Sequence, residues 1–257
     1  LEAGVKGRLK VVGRAGVGVD NIDVETASEL GIPVYFAPHG NTNSTAELAL
    51  AAMFVLARNI HRAHYQMQNG IWVKNANVGI ELAGKTLGIM GCGRIGQSLG
   101  EKARALGMKG LGFDEYLEAV KRNFPDSAIE YAGKKELLKA SDFLSIHTGG
   151  KIVILDEDCL RSVKKGVYLV NASRPENVDA DALKGVMNVG LIAGIALDVH
   201  KNEPKKDGEK FESPFMEKSL EGKVLFLPHL GASTREAEKK TSIEMAQTLV
   251  NALLYGS

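Results

Sequence analysis

The stretch Thr86-Leu-Gly-Ile-Met90, followed at once by Gly91-Cys-Gly93-Arg94-Ile95-Gly96, decides the fold of this 257-residue chain. The five residues before Gly91 read as a short buried strand. Ile95, Leu99, Ala103 and Leu106 then recur three or four apart on one helical face. A strand that turns through G-x-G-x-x-G into a helix is the context in which this pattern binds a dinucleotide. Gly91 permits the tight turn, Gly93 lets the backbone approach a pyrophosphate, and Gly96 packs helix against strand. The helix start adds unsatisfied N–H groups and a partial positive charge. Outside that context the same glycines would mean only a tight turn.

The next strand-like run, Gly110–Phe113, ends in Asp114, near the spacing of the acid that binds ribose hydroxyls. An acid there favours NAD, because a 2′-phosphate would meet like charge, and neither Glu115 nor Tyr116 supplies the arginine that NADP wants. The alternative for Asp114 is a cap on the following segment. Further strand-like runs are Leu9–Val12, Pro33–Phe36, Phe143–Ile146, Val167–Val170, Leu191–Leu197 and Val224–Leu227. Helical spacing fills the intervals, so the pattern predicts a parallel sheet with helices on both faces. The longest helical run is Thr45–Gln68, with Asn43 or Ser44 as its cap, and Arg235–Leu254 is the closing helix. The polar segment Lys201–Gly208 reads as an exposed loop.

Pro38-His39-Gly40 interrupts the pattern, as does the stretch Pro228–Thr234. The expected organisation is a dinucleotide domain at 38–229, flanked by 1–37 and 230–257, which belong to a second domain that the chain leaves and re-enters. The chain opens at Leu1 and enters a strand almost at once, so additional units are expected upstream.

Composition narrows the partners. There are 32 basic against 31 acidic side chains, a formal charge of +1, which argues against nucleic acid as a partner. No apolar run approaches the roughly 20 residues that cross a bilayer, so no membrane role is expected. Cys92 and Cys159 make no disulfide framework, and a reducing, cytoplasmic location is expected.

In open parallel sheets ligands bind beyond the carboxyl ends of the strands. Those ends carry His147-Thr148, Asn171-Ala172-Ser173-Arg174, Asp198 and, after Pro228, His229. Any one of them could be a cap or a satisfied histidine. Their recurrence at one edge is the signal.

Gly13-Arg-Ala-Gly-Val-Gly-Val-Asp-Asn-Ile-Asp23, the loop Gly91–Gly96, Val170–Arg174, Ala196–Pro204 and Pro228–Thr234 together resemble the NAD-dependent D-2-hydroxyacid dehydrogenases, over nearly the whole chain and in order. The resemblance implies a Rossmann-type doubly wound α/β domain with a partial, discontinuous flavodoxin-like substrate domain. It also implies an oxidoreductase that uses NAD and no metal on a small 2-hydroxyacid, and a homodimer or higher homo-oligomer built around the long helix and Trp72. The branch of the family that oxidises 3-phosphoglycerate, in serine biosynthesis, is the nearest. Glyoxylate or hydroxypyruvate reduction is the alternative within the class, and NAD sensing by a corepressor-like protein the alternative outside it.

By the same resemblance Arg174 grips the substrate carboxylate, which suits a planar guanidinium with paired donors. His229 is the general acid–base and Glu203 its carboxylate partner. Cofactor contacts are implied for Gly91, Gly93, Arg94, Ile95, Gly96, Asp114, His147, Thr148, Ala172, Ser173, Arg174, Asp198, His229 and Gly231. Substrate contacts are implied for Arg14, Ala15, Gly16, Val17, Gly18, Asn41, Arg174 and His229, with backbone N–H groups of the Arg14–Val19 loop facing the carboxylate. Lys74, Arg58 and Arg62 are candidates for a substrate phosphate. Two departures from the family pattern stand out: the connection after Thr148 is short and holds Gly149-Gly150-Lys151, and Pro175 replaces the usual glycine after Arg174. Proline at 175 is expected to push Arg174 into an extended backbone.

Overall fold

In the structure, a computed structural model that describes Leu1, Gly4, residues 7–19 and residues 21–255, the run quoted first forms β3 (Thr86–Met90), an interior strand of a seven-stranded sheet. Its partners are β4 (Lys109–Phe113), β5 (Glu130–Tyr131), β6 (Phe143–Ile146), β7 (Val167–Asn171), β8 (Ile192–Leu197) and β9 (Val224–Phe226). The spatial order is β5-β4-β3-β6-β7-β8-β9, and each pairing is parallel. The chain winds outward from β3 one way and from β6 the other. The crevice of a doubly wound sheet therefore opens beyond Met90 and Ile146.

Residues alternate between the two faces of these strands, as a two-residue repeat requires. Leu144, Ile146, Val167 and Leu169 join one apolar cluster, with Leu137 and Leu138 of α6 (Lys134–Ala140), Leu160 of α7 (Glu157–Arg161) and Leu183 of α8 (Ala180–Asn188). Phe143, Leu87, Ile89 and Val170 join the other. That second cluster includes Met53 and Leu56 of α2 (Thr42–Ala57), Leu99 and Ala103 of α4 (Arg94–Ala105) and Val120 of α5 (Leu117–Asn123). Burial on both faces is why β3 and β6 read as largely apolar runs.

The chain divides into two compact units, residues 1–45 with 232–257 and residues 46–231. The divisions fall at 45/46 and 231/232, where 37/38 and 229/230 were expected, and the first lies inside α2. In the smaller unit, β1 (Val12–Arg14) and β2 (Val34–Phe36) pair in parallel, linked through α1 (Val24–Glu29), whose first turn Asp23 caps by accepting from Thr26 N at 3.0 Å. The closing helix α9 (Arg235–Tyr255) packs on β1, where a side chain at Gly13 would meet Met245 Sδ at 2.5 Å. Asp20 of the glycine-rich loop lies outside the described residues.

Three expectations need correction. The long helix starts at Thr42, ahead of Asn43 and Ser44, and it breaks: α3 (Ile60–Gln68) follows Asn59, whose φ of 52° is left-handed. The break comes from outside the helix. Ile80 N donates to Ala57 O at 2.8 Å, and a side chain at Gly79 would meet that oxygen at 2.2 Å, so the crossing strand of chain takes the carbonyl a continuing helix would use. β5, only two residues long, carries too little pattern to be read from sequence. β1 begins at Val12, near the end of the expected Leu9–Val12 run, because its partner residues are Val34–Phe36.

Asp142 ties the central strands at their amino ends. Its carboxylate accepts from Thr86 N at 2.9 Å and pairs with Lys164 Nζ at 2.7 Å. Burial pushes this carboxyl up, but the Lys164 and Thr86 hydrogen bonds outweigh it and hold the group below its usual 3.8. A depressed folded-state value means stability that is present above pH 3.8 and lost as the pH falls through the lower folded value. Asp142→Asn is therefore expected to cost ~1–2 kcal/mol at pH 7. The gap from the parent should narrow as the pH falls below 3.8 in urea denaturation; a pH-independent gap would contradict this account.

Candidate active site

The glycine loop leaves an open cradle. Gly91 sits at φ 94°, and a side chain there would meet the His147 carbonyl carbon at 2.6 Å and Thr148 N at 2.7 Å. At Gly96 it would meet Gly91 O at 2.3 Å. A side chain on Gly93 would meet no described atom within 4 Å beyond its chain neighbours, and Gly93 is the N-cap of α4, which has no side-chain cap bond. The first amides of α4, at Arg94, Ile95 and Gly96, are the ones a helix start leaves without an intrahelical acceptor, beside that open space. That combination of vacancy and unsatisfied donors suits a pyrophosphate. Gln97, which sequence reading passed over, braces the loop: its Nε2 donates to Cys92 O at 3.0 Å, and its Oε1 accepts from Ser127 Oγ at 2.7 Å. Asp114 accepts from Cys92 N at 2.8 Å and Tyr116 N at 2.9 Å, so its carboxylate holds the loop in place and closes a turn ahead of α5, whose N-cap is Tyr116, without capping the helix itself. Burial, reinforced by Asp114, pushes the Cys92 thiol up to about 12, which leaves it unreactive.

Beside Gly91, His147 N donates to Met90 O at 2.7 Å. Its ring Nε2 lies 2.8 Å from Ser145 Oγ, while Nδ1 is buried and has no partner among the described residues. Burial lowers its pKa to about 4, so the ring is neutral at physiological pH. Among the described residues Thr148 Oγ1 is likewise buried without a partner. Two orphaned polar atoms at the end of β6, next to the cradle, fit a polar ligand there.

The β8 and β9 ends carry an acid–base arrangement. His229 Nδ1 lies 2.8 Å from Glu203 Oε2, and the ring is half exposed. Glu203 Oε1 accepts from His200 N at 3.0 Å, which fixes the carboxylate. His229 itself is left-handed, with φ 57°. The buried Asp198 holds that turn by accepting from Leu230 N at 2.7 Å and Gly231 N at 2.9 Å. Burial raises the Asp198 carboxyl, an effect tempered by those two amides and by His229 and His200. The sequence pointed to Asp198 as a cofactor contact; the structure adds that it shapes the histidine turn.

Arg174 follows β7 with φ −137° and ψ 142°, the extended backbone that Pro175 was expected to impose. Its Nη1 donates to Ser173 O at 2.8 Å. Ala172 is half-buried and Ser173 buried. In the smaller unit, Gly16 N donates to Arg14 O at 2.8 Å, so this amide turns back into the loop and does not face a ligand as expected. Arg14 Nε and Asn41 Oδ1 are buried without a partner among the described residues. Ala15, Val17 and Gly18 complete the segment that follows β1. Of the phosphate candidates, Arg62 is committed to its own neighbourhood, since Nε donates to Asn77 Oδ1 at 2.8 Å and Nη2 to Ala76 O. Arg58 and Lys74 are exposed.

Sheet order, glycine cradle and the acid at the β4 end define a dinucleotide-binding domain of the Rossmann type. The family description "D-isomer specific 2-hydroxyacid dehydrogenase, NAD binding domain" fits residues 50–231. D-3-phosphoglycerate dehydrogenase 3, chloroplastic, of Arabidopsis thaliana is 38% identical over 251 residues, 96% of this chain and 41% of that protein. Hydroxypyruvate reductase of Thermotoga maritima is 37% identical over 256 residues, 98% of this chain and 80% of that one. The solved D-lactate dehydrogenase from Aquifex aeolicus, complexed with NAD and lactic acid, is similar with a TM-score of 0.81 at 28% identity, over 97% of this chain and 77% of that one. The chain belongs to the D-isomer specific 2-hydroxyacid dehydrogenase family, and NAD is its cofactor. It spans less than half the length of the Arabidopsis relative.

The empty surroundings of Gly93 give a direct test. Its φ of −71° suits any residue, so Gly93→Ala is expected to leave the melting temperature within about 2 °C of the parent. The added methyl enters the space left for pyrophosphate, and NADH affinity should fall at least about tenfold, or ~1.4 kcal/mol, by fluorescence titration. Unchanged affinity would place the dinucleotide elsewhere.

Proposed function

We propose that this chain carries out NAD-dependent oxidation of a D-2-hydroxyacid at C2, with 3-phosphoglycerate as substrate and 3-phosphohydroxypyruvate as product. The observation that carries the reading is the His229–Glu203 pair at 2.8 Å, formed across 26 residues at the carboxyl edge of the sheet that holds the glycine cradle. NAD when bound supplies a hydride acceptor. Gly91, Gly93 and the amides of Arg94, Ile95 and Gly96 would hold its pyrophosphate, Asp114 its ribose, and His147, Thr148, Ala172, Ser173, Asp198 and Gly231 the nicotinamide side.

The chain's own residues then have distinct tasks. Arg174 binds the substrate carboxylate with two parallel donors and draws charge toward the C2 oxygen. His229, with Nδ1–H donated to Glu203, presents Nε2 as the base that takes the C2 hydroxyl proton. Loss of that proton and of the C2 hydride leaves a 2-oxoacid; in reduction His229 returns the proton. Glu203 fixes the tautomer and stabilises the ring once it is protonated. Arg14, Ala15, Val17, Gly18 and Asn41 are proposed to contact substrate through side chains and backbone amides, while Gly16 closes the turn that presents them.

Phosphoglycerate as substrate is supported by the name of the Arabidopsis relative, with Arg58 and Lys74 as the cations open to a phosphate. The second reading, reduction of hydroxypyruvate or glyoxylate, is favoured by the Thermotoga relative, of which this chain covers 80%. We propose a homodimer through α3 and the segment after it, where Tyr65, Trp72 and Val78 are 60%, 79% and 77% exposed, an unusual concentration of bare apolar surface. Trp72→Asp is expected to yield monomers in sedimentation equilibrium; an unchanged assembly would move the interface elsewhere.

NADH formation across a panel of D-2-hydroxyacids decides the substrate, with strong preference for NAD over NADP expected. His229→Ala should lower kcat by about 10²–10⁴. Arg174→Lys should both raise KM for the acid and lower kcat, since a point charge cannot match the bidentate fit. Near-parent turnover in the first, or an unchanged KM in the second, would refute the assigned roles.

A further inference from the structure

Asn177 has no part in the scheme above, yet it is fully buried and every polar atom it owns is engaged. Its Oδ1 accepts from Arg174 N at 3.2 Å and lies 3.1 Å from the Ser173 hydroxyl, which also reaches Thr148 O. Its Nδ2 donates to Gly150 O at 3.2 Å and Ile152 O at 2.8 Å. Its carbonyl accepts from Ile154 N at 2.8 Å and Leu155 N at 2.9 Å. The shortened connection between Thr148 and Leu155 thus hangs on one residue, and that residue also grips the backbone of Arg174. On the other side Asn171 Nδ2 donates to Arg174 O at 2.9 Å.

We infer that Asn177 is a positioning residue that locks Arg174 and the connection after Thr148 into one piece, so that carboxylate binding and dinucleotide binding depend on each other. The inference rests on the carboxylate role proposed for Arg174. Three features support it. Pro175 has no N–H to compete for the Asn177 side chain and keeps Arg174 extended, with its amide aimed at Oδ1. The connection has no regular structure between Gly149 and Ile154, and Gly150 is left-handed at φ 80°, so little else fixes it. The connection begins at Thr148, whose backbone touches the space a side chain on Gly91 would fill. A shift of one wall is therefore transmitted to the other through the Asn177 amide and the Ser173 hydroxyl bound to it.

The test compares the parent, Asn177→Ala, Asn177→Asp and Arg174→Lys, plus the Ala/Lys double variant, in the whole protein. Readouts are melting temperature, NADH affinity, oxalate affinity in the presence of NADH, and KM and kcat for the preferred acid. Asn177→Ala should weaken both NADH and oxalate by about tenfold each, the scale of one or two lost buried hydrogen bonds. In the Arg174→Lys background the further loss of oxalate affinity should shrink to about threefold or less, because the two residues act on one contact. Asn177→Asp keeps the acceptor for Arg174 N and loses the donor to Gly150 and Ile152. It should therefore retain more oxalate affinity than Asn177→Ala, and it carries the test if Asn177→Ala does not fold. Strictly additive losses, or oxalate affinity unchanged in a folded Asn177 variant, would overturn the coupling. Absent turnover in the parent would remove only the dehydrogenase reading, since oxalate titration needs no hydride transfer; absent oxalate binding in the parent would remove both.

Discussion

The close approach of three strand ends at Gly91 is the constraint on which the other features rest. Gly91 N donates to Phe113 O at 2.9 Å, Met90 O accepts from His147 N at 2.7 Å, and no side chain could occupy the gap. β3, β4 and β6 can converge there only around a residue without a Cβ. The convergence places the start of α4, the orphaned atoms of His147 and Thr148, and the Asp114 carboxylate around one crevice. A parallel sheet supplies such a crevice wherever its winding reverses, and the glycine lets the backbone line it.

The proposed chemistry is held by a second rigid element at the far strands. Asp198 is buried, and both its oxygens are spent on the amides just after His229, while Glu203 holds the ring itself. One carboxylate sets the backbone and the other sets the imidazole. Neither long-range bond could be replaced by a local turn preference, since Asp198 is 32 and 33 residues from the amides it binds. A preorganised base of this kind needs no rearrangement when the substrate arrives.

Much of this was legible in the chain because it depends on local pattern. Buried strands show as apolar runs, and the glycine loop shows its spacing; the extended backbone of Arg174 follows from Pro175. The unread parts are those created by contacts between distant segments. The break near Asn59 is imposed by Gly79 and Ile80, which a window centred on the helix does not contain. Gln97, Asp142 and Asn177 look like ordinary polar residues until folding surrounds them with backbone groups that need partners. The Gly16 amide could have faced outward on sequence grounds; only the closed turn to Arg14 O shows otherwise.

The left-handed turn at His229 also bears on how such a chain can change over generations. That backbone region is costly for branched or bulky side chains and is tolerated best by glycine, asparagine, aspartate and histidine. Drift at this site is therefore channelled by shape before chemistry. A descendant that surrendered its imidazole would settle on asparagine or glycine and keep Asp198, preserving the corner after its purpose had gone.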